Sequence, residues 1–290
     1  MSGDPNGWNT EDHGMAAFPG SQRLTLLEDQ PAIVVFCKSH SGSRLLVRLL
    51  EAAGVFMGAH QNPSADSWDL LPIVRYLVIR HYPDYSRALR GEDPLLEDML
   101  AVALAHHLAG HNPTRRQRWG WKLCETTFIL PVIAQLLPKA RFIHLVRDGR
   151  DVAFSDHTGA TDDFWRKIIF NRADIVRWRG LPLDGRSYRR QPHLFNAQHW
   201  MNSVRVGHRA AASLAGRCLE LRYEDLCQRL APTCARLFAF LDLGPMVTAL
   251  PAIRSDSVGK FRRQPRHKVR AVLELIAPLQ TELGYANDDR

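Results

Sequence analysis

Short apolar segments that alternate with helical patterns constrain the fold of this chain more than any other feature. The run "AIVVF" at residues 32–36 is continuous and rich in β-branched side chains, which is typical of a strand buried on both faces of a parallel sheet. The segments "RWGWKLC", "ARFIHLV" and "RCLELRY" predict three further strands. Because helical patterns separate the strands, the sequence predicts an α/β domain with a central parallel sheet flanked by helices.

Length and composition indicate one large domain. The chain has 290 residues, of which 45% are hydrophobic, and a chain of this length can bury about three quarters of its unfolded surface. Residues 1–28 lack the apolar core of a secretory signal and predict a disordered tail. We expect residues 29–290 to form a single domain, with helical substrate-binding segments at about 60–110 and 156–200.

Clusters of polar and charged residues follow three of the predicted strands. They lie at residues 38–44, 147–155 and 222–225. Ligands of open α/β sheets bind outside the carboxyl ends of the strands, so we expect the three clusters to converge on one site. The net charge of +8 favours an anionic ligand or partner.

The stretch "FCKSHSGSRLL" at residues 36–46 is typical of an anion-binding loop. It joins a strand to a helix, where backbone N–H groups can face an anion, and Gly42 allows a close approach. The Walker A pattern of kinases does not fit. With Gly42 as its second glycine, Cys37, Ser43 and Arg44 occupy three of the four defining positions.

A second stretch, "RFIHLVRDGRDVAFS" at residues 141–155, puts Arg147 directly after a strand and Ser155 eight residues later. A guanidinium fork and a hydroxyl group can bind the same phosphate. This segment resembles the 3′-phosphate-binding motif of the sulfotransferases that use 3′-phosphoadenosine-5′-phosphosulfate (PAPS). "SHSGSRLL" resembles their 5′-phosphosulfate loop, "LELRYEDL" their strand end near the adenine, and "SVGKFRR" their C-terminal loop.

The resemblance covers roughly residues 31–285 and implies both a fold and a reaction. The implied fold is the P-loop-NTPase-like sulfotransferase fold. The implied reaction is in-line transfer of a sulfuryl group from PAPS to a hydroxyl or amine of a small-molecule, glycan or lipid acceptor. It implies no metal, and no His or Cys spacing supports one.

We expect the protein to be located in the cytoplasm of a bacterium. The five cysteines include no CxxC pair, which is typical of reduced thiols. No apolar run reaches the ~18 residues of a membrane span. We expect no nucleic-acid partner, and a homodimer is left open.

The resemblance assigns a set of residues to donor binding. Arg147 and Ser155 should bind the 3′-phosphate, Tyr223 should pack near the adenine, and Lys260 and Arg262 should close over the 3′-phosphate. The 5′-phosphosulfate loop adds Lys38, Ser39, His40, Ser41, Gly42, Ser43 and Arg44.

This loop departs from the family pattern at His40, where the family usually has Lys or Arg. A neutral imidazole carries no charge, whereas a protonated one would replace the usual cation. We expect Arg44 or Lys38 to supply the missing charge. The alternative is a PAPS-binding member of the family with little activity.

The catalytic candidates are His40, Lys122, Glu125 and His157. Lys122 ends the "WGWK" strand, and we expect it to contact the transferring group; alternatively it pairs with Glu125. For the general base, Glu125 is the first candidate, His157 the second and His60 the third.

Two other classes of function remain open. A P-loop kinase-like phosphotransferase would depend on Mg²⁺. A basic nucleic-acid-binding protein would bind duplex DNA with an affinity that falls steeply with salt. The basic segment "KFRRQPRHKVR" at residues 260–270 fits a phosphate-binding loop as well as it fits DNA binding.

Overall fold

The computed structural model describes most of the chain beyond the predicted tail. That tail and most of the predicted segment at 156–200 lie outside the described residues, and so does His157. The described residues are 31–111, 117–155, 164, 189–214, 216–244, 253 and 256–289.

Four parallel strands form the central sheet, in the order β2-β1-β3-β4. The strands are β1 Ile33–Cys37, β2 Gly120–Lys122, β3 Arg141–Val146 and β4 Cys218–Arg222. β1 is buried along its whole length, as its β-branched run predicts. The predicted α/β architecture with a central parallel sheet is confirmed.

Helices surround the sheet, and several begin directly after a strand. Two helices are followed by glycines in the left-handed conformation that ends many helices: Gly54 and Gly110 have φ angles of 84° and 83°. The α-helices are α1 Ser43–Ala52, α2 Leu71–His81, α3 Ser86–Leu89, α4 Leu96–His107, α5 Leu130–Leu136, α6 Gly149–Ala153, α7 Pro192–Ser213, α8 Tyr223–Gln228, α9 Leu230–Leu241 and α10 Arg266–Glu282.

The predicted helical segment at about 60–110 contains α2, α3 and α4. Short 3₁₀ helices at Trp68–Leu70, Cys124–Phe128 and Lys260–Arg263 supplement the α-helices. α2 packs against the 3₁₀ helix that follows β2, and α4 packs against Trp68–Leu70. The segment therefore lies beside the carboxyl end of β2. Among the described helices, none is both long enough and apolar enough to cross a bilayer.

The longest described helix, α7, was not predicted as a helix from the sequence. It begins inside the segment at 156–200 and packs against β1, β3, β4, α6 and α10. Trp200 on α7 is fully buried, and its indole N–H donates to the carbonyl oxygen of Arg147 over 3.0 Å. Residues 192–200 therefore contribute to the core.

The burial of Trp200 generates a stability prediction. We expect Trp200→Ala to lower the free energy of unfolding by about 3–5 kcal/mol, because it removes a large core side chain and leaves a cavity. Chemical denaturation measures this loss. Trp68→Ala is the matched control: Trp68 is 57% exposed, and we expect a change within about 0.5 kcal/mol. Equal losses in the two variants would contradict the packing described.

Candidate functional site

The loop between β1 and α1 is packed against Tyr223 at the end of the sheet. Gly42 precedes α1 with a φ of 83°, and no side chain of a described residue caps the helix. A Cβ atom at Gly42 would lie 2.1 Å from a ring carbon of Tyr223, so only glycine fits there. The hydroxyl of Ser41 is buried without a hydrogen-bond partner among the described residues. The loop thus has the form of an anion site, with uncapped N–H groups at a helix N-terminus.

Arg147 lies at the centre of the candidate site. Its side chain is almost entirely buried, and it donates to the carbonyl oxygens of His40, over 3.2 Å, and of Ser257. Its guanidinium carbon lies 4.7 Å from the ring centroid of Tyr223, and one nitrogen lies 3.7 Å from the Asp151 carboxylate. The Nε atom is buried without a partner in the described part of the chain. Arg147 therefore joins two loops to the start of α8 and keeps one donor for a ligand.

The helix α6 connects this arginine to the C-terminal loop. The carboxylate of Asp151 accepts the backbone N–H groups of Gly259, over 2.8 Å, and Phe261, over 3.1 Å. The ammonium of Lys260 then donates to the hydroxyl of Ser155 over 2.7 Å. Two residues that the sequence analysis assigned to the 3′-phosphate, Ser155 and Lys260, are therefore in direct contact.

Two further charged residues near α6 have other contacts. Asp148 caps the helix by accepting the N–H of Arg150 over 2.9 Å. Arg262 is exposed, and its guanidinium carbon lies 4.9 Å from the ring centroid of Phe261. Arg262 was also predicted to bind the 3′-phosphate. Its described contact is with Phe261 and not with Arg147, Ser155 or Lys260.

The electrostatics of the loop set Lys38 apart from His40. Lys38 is buried, its ammonium has no hydrogen-bond partner among the described residues, and burial lowers its pKa to about 7. Desolvation, followed by the charges of Lys38, Lys260 and Arg147, lowers the pKa of His40 to about 3, although its ring keeps solvent contact. The imidazole is therefore neutral near pH 7, and three cations lie around it.

The other residues of the loop have simpler surroundings. Arg44 is exposed, and its guanidinium donates to the carbonyl oxygen of Pro63 over 3.3 Å. Ser43 is buried as the first residue of α1, and Ser39 is half-buried. Of the two residues expected to supply the missing charge, Lys38 is thus the buried one.

Lys122 ends β2 and forms an ion pair that the sequence analysis did not identify. Its ammonium donates to the carboxylate of Asp66 over 2.5 Å and to the carbonyl oxygen of Ser64 over 2.8 Å. The alternative prediction from the sequence, that Lys122 pairs with Glu125, is wrong. The pair lies next to β1, since Lys122 is opposite Val35 in the sheet.

Glu125 instead pairs with Arg75 on α2, whose guanidinium donates to the carboxylate over 3.1 Å and 3.3 Å. Burial raises the pKa of Glu125, and the charge of Arg75 opposes this shift. The guanidinium carbon of Arg75 also lies 4.7 Å from the ring centroid of Phe164. A buried carboxyl group with a raised pKa is suited to accept a proton.

His60, the third candidate for the general base, is mostly exposed. Its Nδ1 atom lies 3.1 Å from the carboxylate of Asp69. His157, the second candidate, lies outside the described residues. Among the candidates that the structure describes, Glu125 is therefore the buried group.

The donor atoms at the end of the sheet suit a ligand with more than one anionic group. Lys38, Ser41 and Arg147 each present a buried polar atom without a partner among the described residues. Buried polar groups are normally hydrogen-bonded, and these three lie in the β1–α1 loop or on the arginine that contacts it, so a ligand at this loop can satisfy them. The residues present therefore fit a polyanion such as a nucleotide.

Comparison with known protein families identifies one family. The sequence matches the model of the sulfotransferase family over residues 31–245. No curated protein matches the chain.

Several solved structures are similar to this chain. The sulfotransferase domain from the curacin biosynthetic pathway has 13% identity and a TM-score of 0.47, and the match covers 88% of this chain and 98% of that domain. A sulfotransferase from Alicyclobacillus acidocaldarius has 11% identity and a TM-score of 0.49, over 89% of this chain and 97% of the other. One from Mycobacterium tuberculosis has 15% identity and a TM-score of 0.46, over 77% and 71%.

These structural similarities are low, so the family assignment rests on the sequence match, which spans most of the chain. The matched region contains the sheet, the β1–α1 loop and the Arg147 segment. The chain belongs to the sulfotransferase family and has its P-loop-like fold.

Proposed function

We propose that this sulfotransferase uses PAPS as its donor and transfers the sulfuryl group to a hydroxyl or amine of a small-molecule, glycan or lipid acceptor. The observation that carries the proposal is the convergence of Arg147, Ser155 and Lys260 with the β1–α1 loop at the carboxyl end of the sheet. A bisphosphorylated nucleotide needs two anion sites, and these two groups of residues provide them. The cysteine pattern favours the cytoplasm as the setting.

The proposed donor contacts follow from the surroundings of each residue. Arg147 and Ser155, with Lys260, would hold the 3′-phosphate, and Tyr223 would pack near the adenine. The uncapped N-terminus of α1 and the hydroxyl of Ser41 would hold the 5′-phosphosulfate. The donor supplies an activated sulfuryl group, whose displacement depends on positioning and on charge stabilisation.

Lys38 is the cation that we propose in place of the usual one at His40. Its ammonium is buried and without a partner among the described residues, whereas Arg44 donates to the carbonyl oxygen of Pro63 at the surface. A pKa of about 7 means that Lys38 can take up a proton when an anion binds.

The acceptor side is proposed to lie beside β2. Lys122, held by Asp66, would contact the transferring group, and Glu125, held by Arg75, would accept the proton of the acceptor. α2, which carries Arg75, would form part of the acceptor pocket.

A second candidate function is donor binding with little transfer activity. It is favoured by the low pKa of His40, which leaves the position of the usual cation neutral. A folded protein that binds the nucleotide but shows no turnover of PAPS with a broad panel of phenols, amines and sugars would favour this alternative.

The first test is calorimetric titration with adenosine 3′,5′-bisphosphate. We expect wild type to bind it and Arg147→Ala to bind about 10- to 100-fold more weakly, because charged hydrogen bonds to phosphate are lost. Arg141→Ala is the matched control and should bind as wild type does. Arg141 lies at the opposite end of β3 from Arg147, away from the candidate site. Ser155→Ala serves as a second variant that leaves the loop contacts of Arg147 intact. No binding by folded wild type would contradict the proposal.

The pH dependence of the same titration tests Lys38. As the pH rises above about 7, the ammonium of Lys38 loses its proton before the ligand binds. Binding must then recover that proton, so we expect the Kd to rise by up to about tenfold per pH unit between pH 7.5 and 9. Lys38→Arg, which stays charged, should remove this slope. If the pH dependence of the Kd persists in Lys38→Arg, it arises from another group and not from Lys38.

The role of Glu125 separates binding from turnover. We expect Glu125→Gln to bind adenosine 3′,5′-bisphosphate as wild type does, because Glu125 contacts Arg75 and not the nucleotide loops. Release of that product from PAPS, with an acceptor found active in the panel, should fall about 100-fold or more. Unchanged release would exclude Glu125 as the general base.

A further inference from the structure

Three side chains that bind metals in other proteins converge at the middle of the sheet, apart from the proposed donor contacts. His144 in β3 lies directly opposite Glu220 in β4, and His208 on α7 packs over both. The Nδ1 atoms of His144 and His208 each lie 2.9 Å from the same oxygen of Glu220. All three ligand atoms lie within 4.8 Å of one another.

An imidazolium at His208 would donate to both Glu220 and Glu282, whereas a neutral imidazole cannot. If His208 is neutral and both Nδ1 atoms carry a proton and donate to Glu220, the Nε2 atom of His208 presents a lone pair to the carboxylate of Glu282, which is 3.5 Å away. Two acceptors then face each other. If a metal ion occupies both Nδ1 positions, the Nε2–H of His208 can donate to Glu282. That arrangement is the common one for a metal-bound histidine, whose second nitrogen bonds to a carboxylate.

The distances are close to those of a zinc site. Zinc binds imidazole nitrogen at about 2.0–2.1 Å and carboxylate oxygen at about 2.0–2.2 Å, so tetrahedral ligand atoms lie about 3.3 Å apart. The two observed distances of 2.9 Å need to open by a few tenths of an ångström. The ligand nitrogens of the two histidines lie within 4.8 Å of each other, and the half-exposed His208 ring can adjust to the spacing of a zinc site. The ligands come from three elements that pack against one another, which holds the set together.

An ion can reach this cluster from solvent. The side chains of His208 and Glu220 are 30% and 34% exposed. His208 and Glu282 also line an open cavity of about 190 Å³ between α7 and α10.

We propose that His144, His208 and Glu220 bind a divalent transition metal ion of the zinc type, with Glu282 positioning the ring of His208. Two imidazoles and one carboxylate favour zinc over magnesium or calcium, which prefer oxygen ligands. The ion would join α7 to β3 and β4 and so stabilise the packing of α7. The site is independent of the proposed donor and acceptor.

Titration of the chelator-treated, full-length protein with Zn²⁺ and Co²⁺ tests the site. We expect wild type to bind one equivalent of Co²⁺. The bound ion should show the visible absorption of tetrahedral Co²⁺ and lack the near-ultraviolet band of a thiolate ligand. His208→Ala and Glu220→Gln should each weaken this binding at least about tenfold. His60→Ala is the matched control, because His60 pairs with one carboxylate at the surface and should change nothing.

Thermal unfolding provides a second readout. We expect Zn²⁺ to raise the Tm of wild type and of Arg147→Ala, but not that of His208→Ala. His208 is half-buried, so its replacement should leave the protein folded, which a cooperative unfolding transition in the same thermal scan verifies. A folded wild type that binds no Co²⁺ or Zn²⁺ overturns the proposal. Metal binding by His208→Ala and Glu220→Gln that is as tight as in wild type also overturns it.

Discussion

The buried guanidinium of Arg147 is the interaction on which the candidate site depends. It donates to carbonyl oxygens of two different loops, at His40 and Ser257, and lies over Tyr223 of a third segment. Asp151, one turn later, holds the amides of the C-terminal loop. A buried cation is costly to desolvate, and its removal from such a network is more costly still. The network therefore keeps distant segments together around a charge that a phosphate can share.

The sequence predicted the parts of this fold that depend on local patterns. β1 is a continuous apolar run, β3 is a mostly apolar one that contains Arg141 and His144, and Gly42 marks the turn before α1. α7 follows no such pattern. It buries the polar side chains of Asn196, Gln198, His199, Asn202 and Ser203 in addition to apolar ones, so no simple apolar stripe identifies it.

The contacts within the candidate site also go beyond what local patterns predict. The family motifs indicated positions such as Lys122 and Glu125, but not the partners that hold them. Those partners, Asp66 and Arg75, lie 56 and 50 residues away along the chain. A pairing across such a separation depends on how α2 and the preceding loop pack against β2, which composition and spacing do not specify. A carboxylate or guanidinium in a helical segment looks like surface until its neighbour is known.

Charge crowding offers a physical reason for the histidine at position 40. Lys38, Lys260 and Arg147 all act on its imidazole, and their charges contribute to its low pKa. A lysine or arginine at the same place would add a further cation to a partly desolvated loop whenever no anion is bound, and like charges in such a loop repel strongly. A neutral imidazole avoids that repulsion. Lys38 avoids it as well, because a pKa of about 7 lets it shed its proton. The loop therefore carries less charge when its ligand is absent than its composition suggests, and it can gain charge when an anion binds.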